Sequence, residues 1–217
     1  MSQISYDLEW LSEDSWCLTP SNQAELTWIT QSLQHARWSG IRNVTACFSH
    51  ILLDTTDAVD PWVFPQQLRT LLLDLKSQSA QQQPVLKQTH QLCVDFAQGS
   101  DLEDVLIHCG MTKHVFIEAL TQAPLQVLVN GFAPGFSYIG HLPSALHVPR
   151  RSSPRKAVPA GSVAIADKYV AIYPQVSPGG WHIIGHCTQN LFAIDRMPPN
   201  RLQVGDIVQF VEKKHEY

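Results

Sequence analysis

Two stretches in the first third of the chain carry apolar residues at helical spacing. Leu26, Ile29, Leu33 and Ala36 follow one another at steps of three and four, behind Asn22 and Glu25 at the spacing of a capping box, and Gly40 supplies a stop. Leu68, Leu71, Leu72 and Leu75 repeat the pattern from about Pro65. Around these helices Ile4–Thr19 is strand-like, with a break near Ser12–Asp14. Ile41–Asp54 alternates through Val44, Ala46 and Phe48, then Ile51 and Leu53, as two short strands of a hairpin. The order β-α-β-β-α is the beginning of a split, ferredoxin-like α/β layer.

Ser77–Pro84, "SQSAQQQP", is polar, low in complexity and ended by proline, which marks it as a linker. It divides an α/β domain at residues 1–84 from a second domain at 85–217. There Gln88–Phe96 reads as a strand, Ser100 with Glu103 opens a short helix that Gly110 ends, and Thr112 opens another to about Thr121. Short strands then follow at Gln126–Asn130, Ser162–Ala166, Val170–Tyr173, His182–Gly185, Leu191–Ile194 and Ile207–Val211, separated by Pro/Gly turns. Such spacing predicts a closed or nearly closed β-barrel, and an α+β class for the whole chain.

The 217 residues are 44% hydrophobic and 16% charged, with a formal net charge of −4. That is a globular composition, and the acidic balance argues against nucleic acid or an anionic membrane as main partner. Ala119–Pro149 lacks Asp, Glu, Lys and Arg, but Gln122, Gln126, Asn130 and repeated Gly/Pro disqualify it as a membrane helix. The first residues hold acids and no apolar signal core, and the five cysteines form no CxxC. Both point to a cytoplasmic setting.

Against that balance, Arg150, Arg151, Arg155 and Lys156 cluster in VPRRSSPRKAVP, and no carboxylate occurs from Ala119 to Ala166. Guanidinium forks on a proline-stiffened loop match carboxylate or phosphate. The preceding loop, GFAPGFSYIG, supplies Gly135, Phe136 and Tyr138. Its Phe132 is expected in the core, whereas the Tyr138 hydroxyl suits a ligand. SPGGW, with Pro178, Gly179, Gly180 and Trp181, has the composition of a tight turn or an anion-binding nest. Ser162 stands at a strand start, where its hydroxyl binds ligand or closes a turn. His182 and His186 lack a third ligand, so no metal site is expected. Asp206 in VGDIV reads as structural. HExxH, Walker, Rossmann and GxSxG signatures are absent from the sequence.

Taken in order, GFAPGFSYIG, PRRSSPR, VPAGSVAIA, IYPQVSPGGWHIIGH and VGDIVQF resemble the family of 5-oxoprolinase B subunits (PxpB/KipI-like). Its relatives have also been called allophanate hydrolase subunit 1 and, in one branch, sporulation-kinase inhibitor. The likeness runs from about Leu125 to Phe210, with a weaker match at Asp101-Leu102. It implies a cyclophilin-like β-barrel behind the small α/β domain. It also implies a partner, the C subunit (carboxyltransferase-like, KipA-like), possibly with the A subunit as well. The implied reaction is ATP-dependent opening of a small anionic lactam, with ATP at a composite site.

On that resemblance Arg150 and Arg155 are assigned as anion clamps, with Tyr138 and Ser162 orienting the ligand. Gly135, Phe136, Arg151, Pro178, Gly179, Gly180, Trp181 and His186 would complete the surroundings, with Arg151 the better candidate for a salt bridge. The chain departs from the family pattern at Leu120, Leu125, Tyr169, Val170, Ala171 and Cys187, where polar or small residues are expected. These exchanges should strip hydrogen-bonding groups from the pocket. They keep open a second reading, a regulatory protein-binding module without chemistry.

Overall fold

A computed structural model describes residues 4–79 and 88–214. The chain divides into two compact units at Lys87/Gln88. In the first, strands β1 (Tyr6–Ser12) and β2 (Ser15–Pro20) form a hairpin that leads into helix α1 (Gln23–Ala36), then β3 (Ile41–Ala46), β4 (Ile51–Thr55) and helix α2 (Phe64–Ser79). The sheet order is β1-β2-β4-β3, antiparallel throughout. β2, α1 and β3 therefore make the expected split βαβ unit, with β4 inserted between its strands. β1 takes the edge where a ferredoxin-like sheet has its last strand.

Asn22 caps α1 as its sequence predicts, its side chain accepting the Glu25 N–H at 2.9 Å. The helix ends earlier than Gly40, at Arg37, which adopts a left-handed φ of 45°. α1 buries Leu26, Ile29 and Leu33, and α2 buries Phe64, Leu68 and Leu72. Ser77–Ser79, read as the start of a linker, belong to the last turn of α2, and residues 80–84 lie outside the described residues.

The second unit opens with β5 (Thr89–Val94) and a single 3₁₀ turn at Phe96–Gln98. Helices α3 (Leu102–Cys109) and α4 (Lys113–Gln122) follow. α3 starts one residue later than expected, with Asp101 rather than Ser100 at its cap position and no capping bond from its side chain. Strands β6 (Leu125–Asn130), β7 (Ser137–Gly140), β8 (Arg155–Val158), β9 (Ser162–Ala166), β10 (Tyr169–Ile172), β11 (Ser177–Gly179), β12 (His182–His186) and β13 (Ile207–Glu212) complete it.

Seven of these strands form one sheet in the order β12-β9-β10-β7-β6-β13-β5. Its two ends meet through an Asp95–His186 bridge whose N–H···O bonds are 2.8 and 3.0 Å, so the sheet is almost closed on itself. Among the described residues Leu191–Ile194 is not a strand. Phe192 makes one bridge to Asn200, while the Arg196 guanidinium satisfies the Leu191 and Pro199 carbonyls at 3.0 and 2.8 Å. The Pro198-Pro199 pair has no N–H with which to continue a ladder.

The barrel interior is filled by Leu92, Val94, Val127, Ile139, Val163, Ile165, Val170, Ile172, Val208 and Phe210, with Phe116 and Leu120 of α4 in the same cluster. At the start of β13, the buried Asp206 accepts from the Gln203 N–H at 2.9 Å and from the Gln88 N–H at 3.2 Å. It also pairs with His90 at 2.9 Å, a structural brace between β5 and the turn before β13. Phe210 is wholly buried. Phe210→Ala should lower stability by about 3–5 kcal/mol, seen as a lower urea midpoint with an unchanged slope.

Candidate functional site

β9 and β10 are apolar on both faces. Val163, Ile165, Val170 and Ile172 point into the barrel, and Ala164, Ala166, Ala171 and Tyr173 belong to a second cluster on the other face. Three alanines make that outer face shallow enough for rings to lie on it. Phe136, Tyr138, Tyr173 and Trp181 do so, with centroid separations of 5.1 Å (Phe136–Tyr138), 5.3 Å (Phe136–Tyr173), 5.9 Å (Phe136–Trp181) and 5.7 Å (Tyr138–Trp181). All four contacts are edge-to-face, the geometry that ring quadrupoles favour.

The turn carrying Phe136 is tied by bonds from Gly131 N–H to Phe136 O (3.1 Å) and from Phe136 N–H to Ala133 O (2.9 Å). Gly135 adopts a φ of 85°, and a Cβ there would stand 2.6 Å from Phe192. It shapes the turn rather than the site. Phe132 differs from its expected core placement: it has a φ of 70° and is 59% exposed, with its ring edge-on to Phe136 at 5.1 Å.

The arginine loop and the SPGGW turn, separate in the sequence, are one two-stranded ribbon. β8 pairs with β11 through Val158↔Ser177 and Arg155↔Gly179, and the Arg151 N–H donates to the Gly180 carbonyl at 2.8 Å. Neither Gly179 nor Gly180 takes a left-handed φ, so the alternation that makes an anion nest is missing. Gly179 is needed for closeness instead, since a Cβ there would overlap the Tyr173 hydroxyl.

Asp101 holds this ribbon. It is 4% exposed and accepts from Arg155 at 2.5 Å, Arg151 at 2.9 Å and the Ile183 N–H at 2.7 Å, while its own N–H donates to the Ile183 carbonyl at 2.9 Å. Burial pushes its carboxyl upward. The Arg155 hydrogen bond, the Ile183 N–H and the charges of Arg155 and Arg151 outweigh that and hold it below the ordinary carboxylate value. Arg155, assigned as a clamp, thus spends its charge on Asp101, as does Arg151. Among the described residues Arg150 makes only a 3.5 Å contact to Asp167, with both side chains more than half exposed.

A hollow of about 180 Å³ lies between the ribbon and the rings. Tyr138, Phe136, Arg150, Arg151, Pro178, Gly179, Gly180 and Trp181 line it, joined by Phe132, Pro154 and Tyr173, which the sequence pattern had not assigned to it. Arg155, Ser162, Gly135 and His186 do not. Ser162 is buried and stands opposite His186 in the β9–β12 register, where His186 Nε2 faces the Ala160 carbonyl at 3.2 Å. His182 Nε2 likewise faces the Pro149 carbonyl at 3.0 Å.

Burial pushes the Tyr138 phenol above its ordinary value, against the pull of Arg150. It does the same to Tyr173, reinforced by Tyr138 and opposed by Arg150 and Arg155. Both hydroxyls are therefore proton donors at neutral pH. The lining holds no carboxylate, histidine, lysine, cysteine or serine. Such a hollow can bind and polarise an anion but has no general base or strong nucleophile of its own.

The exchanged positions lie elsewhere. Leu120, Leu125, Val170 and Cys187 are buried in the barrel core, Ala171 lies in the layer beneath the rings, and Tyr169 meets Tyr138 edge-on at 6.2 Å. None lines the hollow, so the exchanges do not strip it of polar groups as expected.

Residues 7–202 match the carboxyltransferase domain, subdomain C and D, and the chain belongs to that family. Within it, the chain is 45% identical over 118 residues to the B subunit of 5-oxoprolinase from Escherichia coli O157:H7, a match covering 54% of each. Its identity to the Haemophilus influenzae protein of that name is 44% over 113 residues, or 52% of this chain and 53% of the other. The chain thus spans about half the length of the curated relatives it matches. The crystal structure of TTHA0988 superposes with a TM-score of 0.76 at 25% identity, over 94% of this chain and 40% of that one.

Asp101→Ala should destabilise the protein by about 3–5 kcal/mol, because it leaves two guanidinium groups without their carboxylate. Since the folded Asp101 pKa lies below the unfolded value of about 3.9, its stabilisation is complete above that value and is lost as pH falls through the lower folded one. Urea midpoints measured from pH 6 to pH 2 should therefore fall less steeply on the acid limb for Asp101→Asn than for the parent protein.

Proposed function

We propose that this chain is the B-type component of an ATP-dependent 5-oxoprolinase-type system. In this reading it binds a small cyclic acid in the aromatic hollow and relies on a second protein, of the C-subunit type, to complete the site. The observation that carries the reading is Arg150, set against Phe136, Tyr138, Tyr173 and Trp181 with only an exposed 3.5 Å contact to occupy it. A flat, partly apolar ring with a carboxylate suits those walls, and the guanidinium fork suits the carboxylate. The two phenols would donate to a lactam oxygen as charge gathers there. The base must come with the partner, because the lining offers no group for that task. The names of the curated relatives support the same assignment.

A second reading, a regulator that binds protein without chemistry, draws on Phe132 and Val176. They are 59% and 65% exposed, the one lining the hollow and the other next to its ribbon. One set of assays separates the two. The chain alone should hydrolyse no ATP, and mixing with a C-type partner should give hydrolysis stimulated by 5-oxoproline. Arg150→Ala should lower that stimulated rate about 10- to 100-fold, the equivalent of one charge-assisted hydrogen bond of about 1.5–3 kcal/mol. Tyr138→Phe should lower it about 3- to 10-fold. Partner binding that survives Arg150→Ala, with no stimulation by any small acid in the parent complex, would favour the regulator.

A further inference from the structure

Arg150 and Arg151 form a wall with two sides. Behind them, away from the rings, lies a second and more polar hollow of about 270 Å³. Asp104 and His108 of α3, Ser152 of the arginine loop and His182 of β12 line it together with the two arginines. At about 30 Å³ per water it has room for about nine waters, enough for a tetrahedral oxyanion and part of whatever carries it. We infer that this hollow is a binding subsite for a phosphoryl group or free phosphate, sharing Arg150 with the aromatic hollow.

The charge there favours an anion. Two guanidinium groups face one lining carboxylate, Asp104, which is exposed on α3. The Asp101 charge is already divided among Arg151, Arg155 and the Ile183 N–H. Asp167 holds Arg150 only through an exposed pair, a kind that contributes little and yields readily. Donors arrive from a helix and a loop, His108 from the one and Arg150, Arg151 and Ser152 from the other, so they converge from more than one direction. That suits a tetrahedral group better than a flat carboxylate, whose acceptors lie in one plane.

One donor on this wall lacks a partner among the described residues: Nε of Arg151 is buried without a hydrogen bond. A buried donor left unsatisfied is uncommon, and a bound anion is one arrangement that accounts for it. The inference stands apart from the lactam assignment, because Arg150 and Arg151 are the only residues common to the two hollows.

The test follows the imidazole ¹H–¹⁵N signals of the full chain during titration with inorganic phosphate and with ATP, each against chloride at matched ionic strength. Phosphate or ATP should shift His108 and His182 saturably. His108→Glu and Ser152→Glu, both at exposed positions, should weaken binding at least tenfold. Phe132→Ala, which touches only the aromatic hollow, should leave it unchanged. ATP binding at least tenfold tighter than phosphate identifies a nucleotide's phosphoryl group as the ligand, and equal affinities identify free phosphate. A shift that chloride reproduces, or binding that survives both Glu variants, overturns the inference. Loss of phosphate binding in Phe132→Ala alone would overturn it too, by moving the anion to the other side of the wall.

Discussion

The site depends on one buried carboxylate. Asp101 accepts from two guanidinium groups and one backbone N–H, and thereby joins the start of α3, the arginine loop and β12 at a single point. A carboxylate taken out of water is costly unless its lone pairs are filled. Here they are filled by the groups whose positions define the hollow. The consequence is a division of labour among the arginines. Arg151 and Arg155 hold the loop in place, and Arg150 is left facing solvent on two sides. Prolines at 149 and 154 stiffen the same loop, so its ordering costs less entropy than a run of serines would.

The second constraint is volume. A strand buried on both faces must satisfy two neighbours of different shape, and β9 and β10 do so by alternating branched residues inward with alanine outward. Branched side chains fill the barrel. Alanines leave a shallow bed on which Phe136, Tyr138, Tyr173 and Trp181 pack edge to face. The barrel core and the ring cluster therefore share their strands. Packing tolerances in one are felt in the other, since interiors are dense and transmit strain.

Much of this was legible in the sequence, for identifiable reasons. The helices announced themselves by leucines at steps of three and four and by Asn22 and Thr112 at their caps. The strands of the barrel announced themselves as short apolar runs between Pro and Gly. Arg150, Tyr138, Phe136 and the PGGW residues were singled out, and the fold brings them to one hollow. What local pattern could not show was partnership at long range. The gap in carboxylates from Ala119 to Ala166 made Arg150 and Arg155 look unclaimed and left the expected salt bridge of Arg151 without a partner to name, yet Asp101, 50 residues before Arg151, pairs with both Arg151 and Arg155. The only pointer was the Asp101-Leu102 pair in the weaker part of the family likeness. β8 and β11 escaped because a ribbon of four and three residues, flanked by proline and glycine, has no alternation to read. Phe132 was misplaced because an aromatic between glycines looks like core filling, whereas its left-handed backbone turns the ring outward.

The exchanged positions bear on the same question from the other side. Judged by sequence proximity to the family motifs, Leu120, Leu125, Val170 and Cys187 seemed to remove polar groups from a pocket. In the fold they are barrel-core residues, and apolar side chains there are favoured by the same burial that makes a lone polar group expensive. Their divergence belongs to the interior of the barrel, where close packing constrains the summed volume of the side chains. The hollow is governed by a different set: Asp101, which holds the wall, the alanines, which make the bed, and Arg150, whose charge has the weakest claim on it. Substitutions in the first set can accumulate without touching the second, provided β9 and β10 keep their two faces distinct. The functional state of such a chain is therefore better judged from whether Asp101, Arg150 and the ring cluster remain together than from how many family positions have changed.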